Sequence, residues 1–422
     1  MKLPMRSYLR PLATAILFAC SDLSLAHPVV AEADPAADGN GPIPNINALS
    51  AQYLPAYSRI VDGLSGAGHV DSEIFSNYAG GVRRGSEPNL VGQFGLEYDT
   101  RKAGLWQGGK LTFSVMGIYS GGVQPDYSGD LQTASNIWAP SALRIYDAAY
   151  RQKFTHWLNA RIGITDINYY FDVTGNALQL VNSSFGINPT LTANVPGTAT
   201  FPYSGLGAMI AAHGAVWSGK AGVFQGDPQH RGSAFERGYM ALWESGIHWG
   251  EKGDGDLDND ADDYGKYVLK VGAWRYEQPH PDLPGLSPST AGVYAVAEGN
   301  WELSGGRDLG AFVQMGGAPQ DFNPVPWYLG LGLRLGHPFP GRPDDSLSVG
   351  MARAWLRSSA VAAGLGVAAG AVHAAETAYE VTYAAKLGPH LTLQPDIQYI
   401  THPGGIEPNA TVGILRLHIE FF

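Results

Sequence analysis

Glu376 and Glu380 are a pair whose type and spacing could do chemistry, because two carboxylates are what a glycosidase requires. The segment that holds them, "ETAYEVTYAAK" (Glu376 to Lys386), alternates apolar and polar residues as a strand does. On an extended chain, positions i and i+4 lie about 13 Å apart, beyond the separation either hydrolytic mechanism uses. Both glutamates therefore read as the wet face of a sheet. The other chemical motifs fall the same way. "GLWQGGKL" (Gly104 to Leu111) approximates a phosphate-binding loop, but Leu111 stands where Ser or Thr is needed and a strand follows in place of a helix. "DGDLDNDADD" (Asp254 to Asp263) alternates carboxylates without the EF-hand glycine and closing glutamate. A solvated acidic turn and adventitious calcium both stay open for the segment 251–263. No GxSxG, HExxH or CxxC occurs, so no catalytic residue, metal centre or cofactor is expected, and the chain does not read as an enzyme.

What remains are polar side chains repeated at every second position, which suits binding and passage better than bond-making. "HLTLQPDIQYITHP" (His390 to Pro403) shows the pattern. Leu391, Leu393, Pro395, Ile397 and Tyr399 share one face of an extended chain, and Thr392, Gln394, Asp396 and Gln398 share the other. "WLNARIGIT", "YMALWESGIHW", "WYLGLGLRL" and "GILRLHIEFF" repeat it with Arg161, Glu244, Arg334 and Arg416 on the polar side. Parity and chemistry together select Arg83, Glu97, Arg161, Glu244, Arg334, Glu380, Asp396, Gln398 and Arg416 as groups that would hydrogen-bond a neutral polar solute. The long segment Thr165 to Pro189 sets Tyr169, Tyr170, Phe171 and Phe185 among amides and carboxylates. Such rings could stack on sugar faces, or the segment could fold on itself and cap an opening; both readings stand.

Elements must position these groups, and composition says in what solvent. The chain of 422 residues carries 55 Gly, 10 Trp, 21 Tyr and 15 Phe but only 15% charged residues, well under the usual quarter. Mean hydropathy is near zero, and no run of 18 apolar residues follows the N-terminus. Apolar surface spread over alternate residues is expected of a transmembrane β-barrel. Tyr98, Tyr119, Trp249, Trp327 and Tyr399 fall toward strand ends, as interfacial girdles require. An arginine facing mid-bilayer lipid costs about 2–4 kcal/mol, so Arg161, Arg334 and Arg416 should point inward. Strands are expected to start near 72, 89, 110, 142, 157, 206, 220, 236, 265, 291, 308, 326, 346, 375, 390 and 409. That gives an antiparallel barrel of about 16 strands, wide enough for an aqueous channel. Tight connections at 155–156, 218–219 and 388–389 alternate with long ones at 121–141, 166–205 and 357–374. This is the rhythm of short periplasmic turns and longer extracellular loops.

The N-terminus reads as an export signal over residues 1–26: Lys2, Arg6 and Arg10, then "PLATAILFAC", then small residues at Ser24 and Ala26. Cys20, the single cysteine, sits in an imperfect lipoprotein box and is read as signal-peptide filler. Residues 27–70 read as a mature leader with one short helix in "AYSRIVDGL", and 71–422 as the barrel. The formal charge of −11 without a Lys/Arg stripe argues against a nucleic-acid partner.

The C-terminal third carries a resemblance. "YEVTYAAKLGPHLTLQPDIQYITHPGG" and "VGILRLHIEF" are similar to the closing strands of the carbohydrate-selective porins of the OprB family. "NSSFGINP" (Asn182 to Pro189), "GVFQGDP" (Gly222 to Pro228) and "NYAGG" (77–81) fit the same pattern in order, so the likeness runs over about 70–422. His390 stands where many relatives have Trp, and Phe422 follows the usual terminal Phe. The resemblance implies a passive, water-filled outer-membrane pore for glucose-like sugars in a Gram-negative cell. Its partners would be small sugars, outer-membrane lipid and the barrel assembly machinery, and a homotrimer is compatible with a barrel of this size. Two other classes compete: a structural or adhesive outer-membrane barrel whose loops close the lumen, and a secreted all-β lectin or glycosidase.

Overall fold

The computed structural model describes residues 58–229, 233–250, 266–278, 289–321 and 323–421. The expected signal segment 1–26, most of the expected leader and the acidic segment 251–263 lie outside the described residues. No described helix is long and apolar enough to cross a membrane.

Sixteen strands, β2 (Leu64–Ala79) to β17 (Ala410–Phe421), pair antiparallel with their sequence neighbours, and β17 closes on β2 from Thr411↔Ala79 to Phe421↔Gly68. Closure leaves no sheet edge, which is what a sheet in lipid requires. β3 (Gly85–Asp99), β4 (Gly109–Ser120), β5 (Ala142–Lys153), β6 (Leu158–Thr165), β7 (Gly205–His213), β8 (Trp217–Gln225) and β9 (Tyr239–Trp249) follow in order. Then come β10 (Tyr267–Glu277), β11 (Ser289–Leu303), β12 (Arg307–Gly317), β13 (Trp327–Gly336), β14 (Ser346–Trp355), β15 (Ala375–Gly388) and β16 (Leu391–Thr401).

A further strand, β1 (Ser58–Val61), turns at Asp62-Gly63 and pairs Ser58↔Gly66 on β2, occupying the edge that β17 vacates beyond Gly68. This corrects the helix expected in "AYSRIVDGL". Ile60 and Val61 are β-branched, and Gly63 takes φ +83° in the turn, so a tight hairpin wins over a short helix. The barrel also begins earlier than the expected 71, because Gly66 and Gly68 supply no apolar side chain to the alternation.

The outer face is apolar: Ile74, Phe94, Phe113, Ile162, Ile210, Val271, Leu333, Val381, Ile397 and Leu415 are all exposed. Aromatic residues mark its two margins. Trp249 stacks on Tyr267 at 5.7 Å and Trp301 meets Tyr267 at 5.8 Å near the end where β2 begins and β17 finishes. Tyr78, Tyr119, Tyr239, Trp327 and Tyr399 stand exposed near the other. That second end bears the long connections 121–141, 166–204 and 356–374, and the first two turn into the barrel.

Candidate functional site

The segment 166–204 leaves β6 and enters the lumen, which sets a physical problem: its backbone N–H and C=O groups are taken from water and must find partners. Asp166, Asn182 and Asn188 each accept from the N–H two residues on, giving a chain of short helical turns in place of a strand. The inner wall supplies the rest. Glu244 of β9 accepts from Asp172 N at 2.9 Å, and Glu298 of β11 from Asn176 N at 2.7 Å. Glu380 of β15 accepts from Val181 N and Asn182 N at 2.5 and 3.0 Å. Carbonyls are met by wall donors: Lys220 Nζ reaches Tyr170 O and Lys270 Nζ reaches Val173 O, each at 2.5 Å. Gln314 Nε2 reaches Phe185 O at 2.9 Å and Gln394 Nε2 reaches Gln179 O at 2.7 Å.

The connection 121–141 is stitched in the same way, with Glu376 accepting from Leu131 N and Gln132 N at 2.8 and 2.9 Å and Gln398 Nε2 donating to Ala134 O at 2.7 Å. Room for the inserted chain comes from missing side chains on the wall. A Cβ on Gly310 would stand 1.9 Å from Asn176 Oδ1, and one on Gly350 2.7 Å from the Phe185 ring.

Of the expected solute-contacting groups, most point inward but are engaged by protein. Arg416 pairs with Glu73 Oε2 through Nε at 3.0 Å and a terminal nitrogen at 2.8 Å, and reaches Ser135 Oγ at 3.2 Å. Arg161 lies 2.5 Å from Asp147 Oδ2, and Arg334 pairs with Asp308. Glu244 also meets Lys220 at 3.3 Å and accepts from Tyr294 Oη at 2.8 Å. Asp396 accepts from Gln398 Nε2 at 3.0 Å, and Gln398 accepts from Asn182 Nδ2 at 3.2 Å. Glu97 pairs with Lys110 at 3.1 Å and is half-buried.

Arg83 is a correction: it lies in the turn between β2 and β3, donates to Asp126 O at 3.1 Å and rests 4.1 Å over the Tyr127 ring. Gly80 and Gly81, both at positive φ, turn the chain before Arg83 and take it off the strand. The stacking rings are partly corrected too. Phe171 is 0% and Phe185 1% exposed, their faces taken by edge contacts with Phe224 and Phe312. Tyr170 is likewise buried and turns its carbonyl to Lys220. Tyr169 alone of the four is half-buried, with its hydroxyl 3.4 Å from Gln93 Nε2.

Sequence reasoning missed Glu73, Asp147, Lys220, Lys270, Glu298 and Arg144. Arg144 is half-buried, inward between the exposed Leu143 and Ile145, and its guanidinium lies 4.1 Å over the Tyr203 ring. The alternation "LRI" carried that signal. Asp147 had none, because the register shifts at Ser114/Val115 and turns Tyr146 and Asp147 inward together. Lys220 sits in "GKAG", where no apolar partner marks parity.

In the inserted segment, burial pushes the Asp172 carboxyl up to about 7, against the opposing hydrogen bonds from Asn188. Asn188 N and Nδ2 donate to the same oxygen at 2.8 and 2.6 Å. Among the described residues, no cluster of His, Cys, Asp and Glu has the arrangement of a metal centre.

The sequence pattern of the family described as carbohydrate-selective porin, OprB family, matches residues 85–421. No curated protein sequence matches the chain. Among solved structures, the chain is similar to OprB of Pseudomonas putida at high pH, with a TM-score of 0.71 at 18% identity, over 85% of this chain and 94% of that one. It is also similar to the anion-selective porin of Comamonas acidovorans, with a TM-score of 0.53 at 12% identity, over 85% and 99%. At such identities these likenesses speak for the barrel fold.

Proposed function

The chain belongs to the carbohydrate-selective porin family OprB, and from that premise we propose how its lumen passes and selects small sugars. The family is one of outer-membrane channels, and transport through the barrel is passive diffusion of small carbohydrates. The turn end of the barrel, where β2 begins and β17 finishes, then faces the periplasm, and the end with the long connections faces outward.

The observation that carries the reading is the division of labour inside the lumen. Glu244, Glu298, Glu376 and Glu380 spend their oxygens on the backbone of the inserted connections. Those connections narrow the passage, and the wall residues act on sugar through them by fixing their position. Direct contact falls to the half-buried groups: Arg144 with Tyr203, and also Tyr169, whose hydroxyl is held by the buried Gln93, on the inner rim, and Glu97 with Lys110 toward the periplasm. A guanidinium over an aromatic face offers donors to hydroxyls beside a flat surface for the CH face of a pyranose. Opposed charges that neutralise one another, as in Arg161–Asp147 and Arg334–Asp308, favour a neutral solute over an ion. Outer-membrane lipid meets the apolar outer face, and the alternation through Phe421 is what the barrel assembly machinery would read. Residues 1–26 would direct export.

Liposome swelling over a panel of mono- and disaccharides tests the reading. Sugar-dependent swelling is expected, with Arg144→Ala lowering the rate for hexoses more than for small polyols. Absence of swelling with every sugar would favour a closed structural barrel.

A further inference from the structure

A charge on the lipid-facing wall persists only where something neutralises it, and near the outward end of the outer face Arg353 has no protein carboxylate beside it among the described residues. Arg59 is paired with Asp62, and Arg275 with Glu277. Arg353 stands on β14 in register with Leu329 of β13 and Thr377 of β15, on the face that also carries Val349 and Met351. Its guanidinium lies 5.0 Å from the Trp355 ring and donates to Thr377 Oγ1 at 3.2 Å. Among the described residues no carboxylate forms an ion pair with it.

Beyond it, toward the outward end, His373 of the 356–374 connection stacks on His402 of the turn after β16, with ring centroids 3.8 Å apart and planes 19° apart. Burial, then His373, then Arg353, hold the His402 imidazole below its ordinary value. Glu376, the acid nearest in sequence to His373, is turned inward and accepts from Leu131 N, Gln132 N and Gly404 N. Trp327, Trp355, Tyr379 and Tyr399 place this patch at the depth of the outward aromatic belt. In a chain of net charge −11, it is a local basic patch facing the headgroup layer.

We propose that Arg353, with the stacked His373 and His402, docks the phosphate group of an outer-leaflet glycolipid whose acyl chains lie along the outer face of β13–β16. The depth fits, because a lipid-facing cation costs about 2–4 kcal/mol at the midplane but about 0–1 near the interface, where phosphates lie. The chemistry fits, because a planar guanidinium matches a phosphate bidentately and a neutral imidazole adds one donor. The acyl chains distinguish the glycolipid from free phosphate, since Leu329, Leu331, Val349 and Met351 continue the patch into the apolar band. The inference rests on the outer-membrane placement and is independent of sugar passage.

The test is native mass spectrometry of the delipidated full chain with bis-phosphorylated lipid A, with lipid A stripped of phosphate, and with inorganic phosphate. Arg353→Gln is expected to bind the phosphorylated lipid about tenfold more weakly than the wild type. Arg353→Lys should keep part of the affinity, and the stripped lipid should bind all forms alike. Lowering the pH from about 7.5 to about 5.5 should tighten wild-type binding but not that of His402→Gln, since a bound anion favours the protonated imidazole. Swelling with sugars should be unchanged in Arg353→Gln, which shows that it folds and separates this result from the channel reading. Equal lipid retention by wild type and Arg353→Gln, or displacement of the lipid by inorganic phosphate alone, would overturn the proposal; should Arg353→Gln fail to swell, the Arg353→Lys comparison decides alone.

Discussion

The two faces of β16 are made from adjacent residues and obey opposite rules. Outside, Ile397 is 53% exposed with Tyr399 and Pro395 beside it; inside, Gln398 and Gln394 are 0% exposed. The outer face is simple: any apolar residue serves, and its neighbour is lipid. The inner face is exacting, because each polar group there is buried against another segment of the same chain and must be matched by it. Tolerance should therefore differ in kind between the faces, graded by size outside and by partner inside.

Glu73→Ala should break the comparison hardest. It leaves Arg416 buried without its carboxylate, and the loss of one partner of a buried pair costs about 3–5 kcal/mol. The midpoint for heat-induced loss of the folded electrophoretic form should fall accordingly, while Glu73→Ala with Arg416→Leu should recover most of it. A double variant as unstable as the single would show that the pair itself is not the cause.

Ile397→Arg comes next, at about 2–4 kcal/mol for a cation near the middle of the apolar band. Refolding titrations into vesicles measure it. A neutral outcome would mean that this face is not bathed in lipid.

Glu380→Gln should cost about 1.5–3 kcal/mol, because charged acceptors for Val181 N and Asn182 N are replaced by one neutral carbonyl. Its more telling effect is on the passage: the inserted segment loosens, so single-channel conductance becomes larger and noisier. Unchanged conductance would remove Glu380 from the positioning role.

The smallest effect is with pH. The folded-state carboxyl of Asp172 is pushed up to about 7 by burial, so between its ordinary value and about 7 the folded protein holds a proton that the unfolded chain releases. The stability contributed by this group is present at low pH and is lost as pH rises through about 7. Protection factors for amide exchange across 172–188, taken relative to the intrinsic rate at each pH, should fall from mildly acidic to mildly basic buffer in the wild type and stay flat in Asp172→Asn. A flat wild-type profile would place Asp172 in contact with water.

Much of this was legible before any coordinates. All sixteen barrel strands fall close to where alternation places them; β2 starts well before its expected position, at Leu64 where 72 was expected. The tight turn expected at 218–219 lies at 214–216, since Ser218 and Gly219 already pair with His213 and Ala212. Period-two patterning survives translation into structure because each side chain sees either lipid or lumen, a binary choice written locally. Inward parity of Arg161, Glu244, Glu380, Asp396 and Arg416 was legible for the same reason. What each of them touches was not. Whether Phe171 and Phe185 were free rings or packed parts of a cap stayed open, because nothing in "NYYFDV" or "SSFGIN" names Phe224 or Phe312 as their covers. Asp147 was hidden by a bulge, whose extra residue inverts parity without a mark in composition.

The amino-acid order alone thus determined a closed antiparallel barrel, greasy outside and polar within, since that outcome depends only on which of two solvents each alternate residue prefers. Tertiary structure alone decided that two long connections would turn inward and that the wall carboxylates would hold their backbone. That choice pairs Val181 with Glu380 and Asn176 with Glu298 across more than a hundred residues. Hydrogen bonds over such separations are set by where the folded chain returns, which no local pattern encodes.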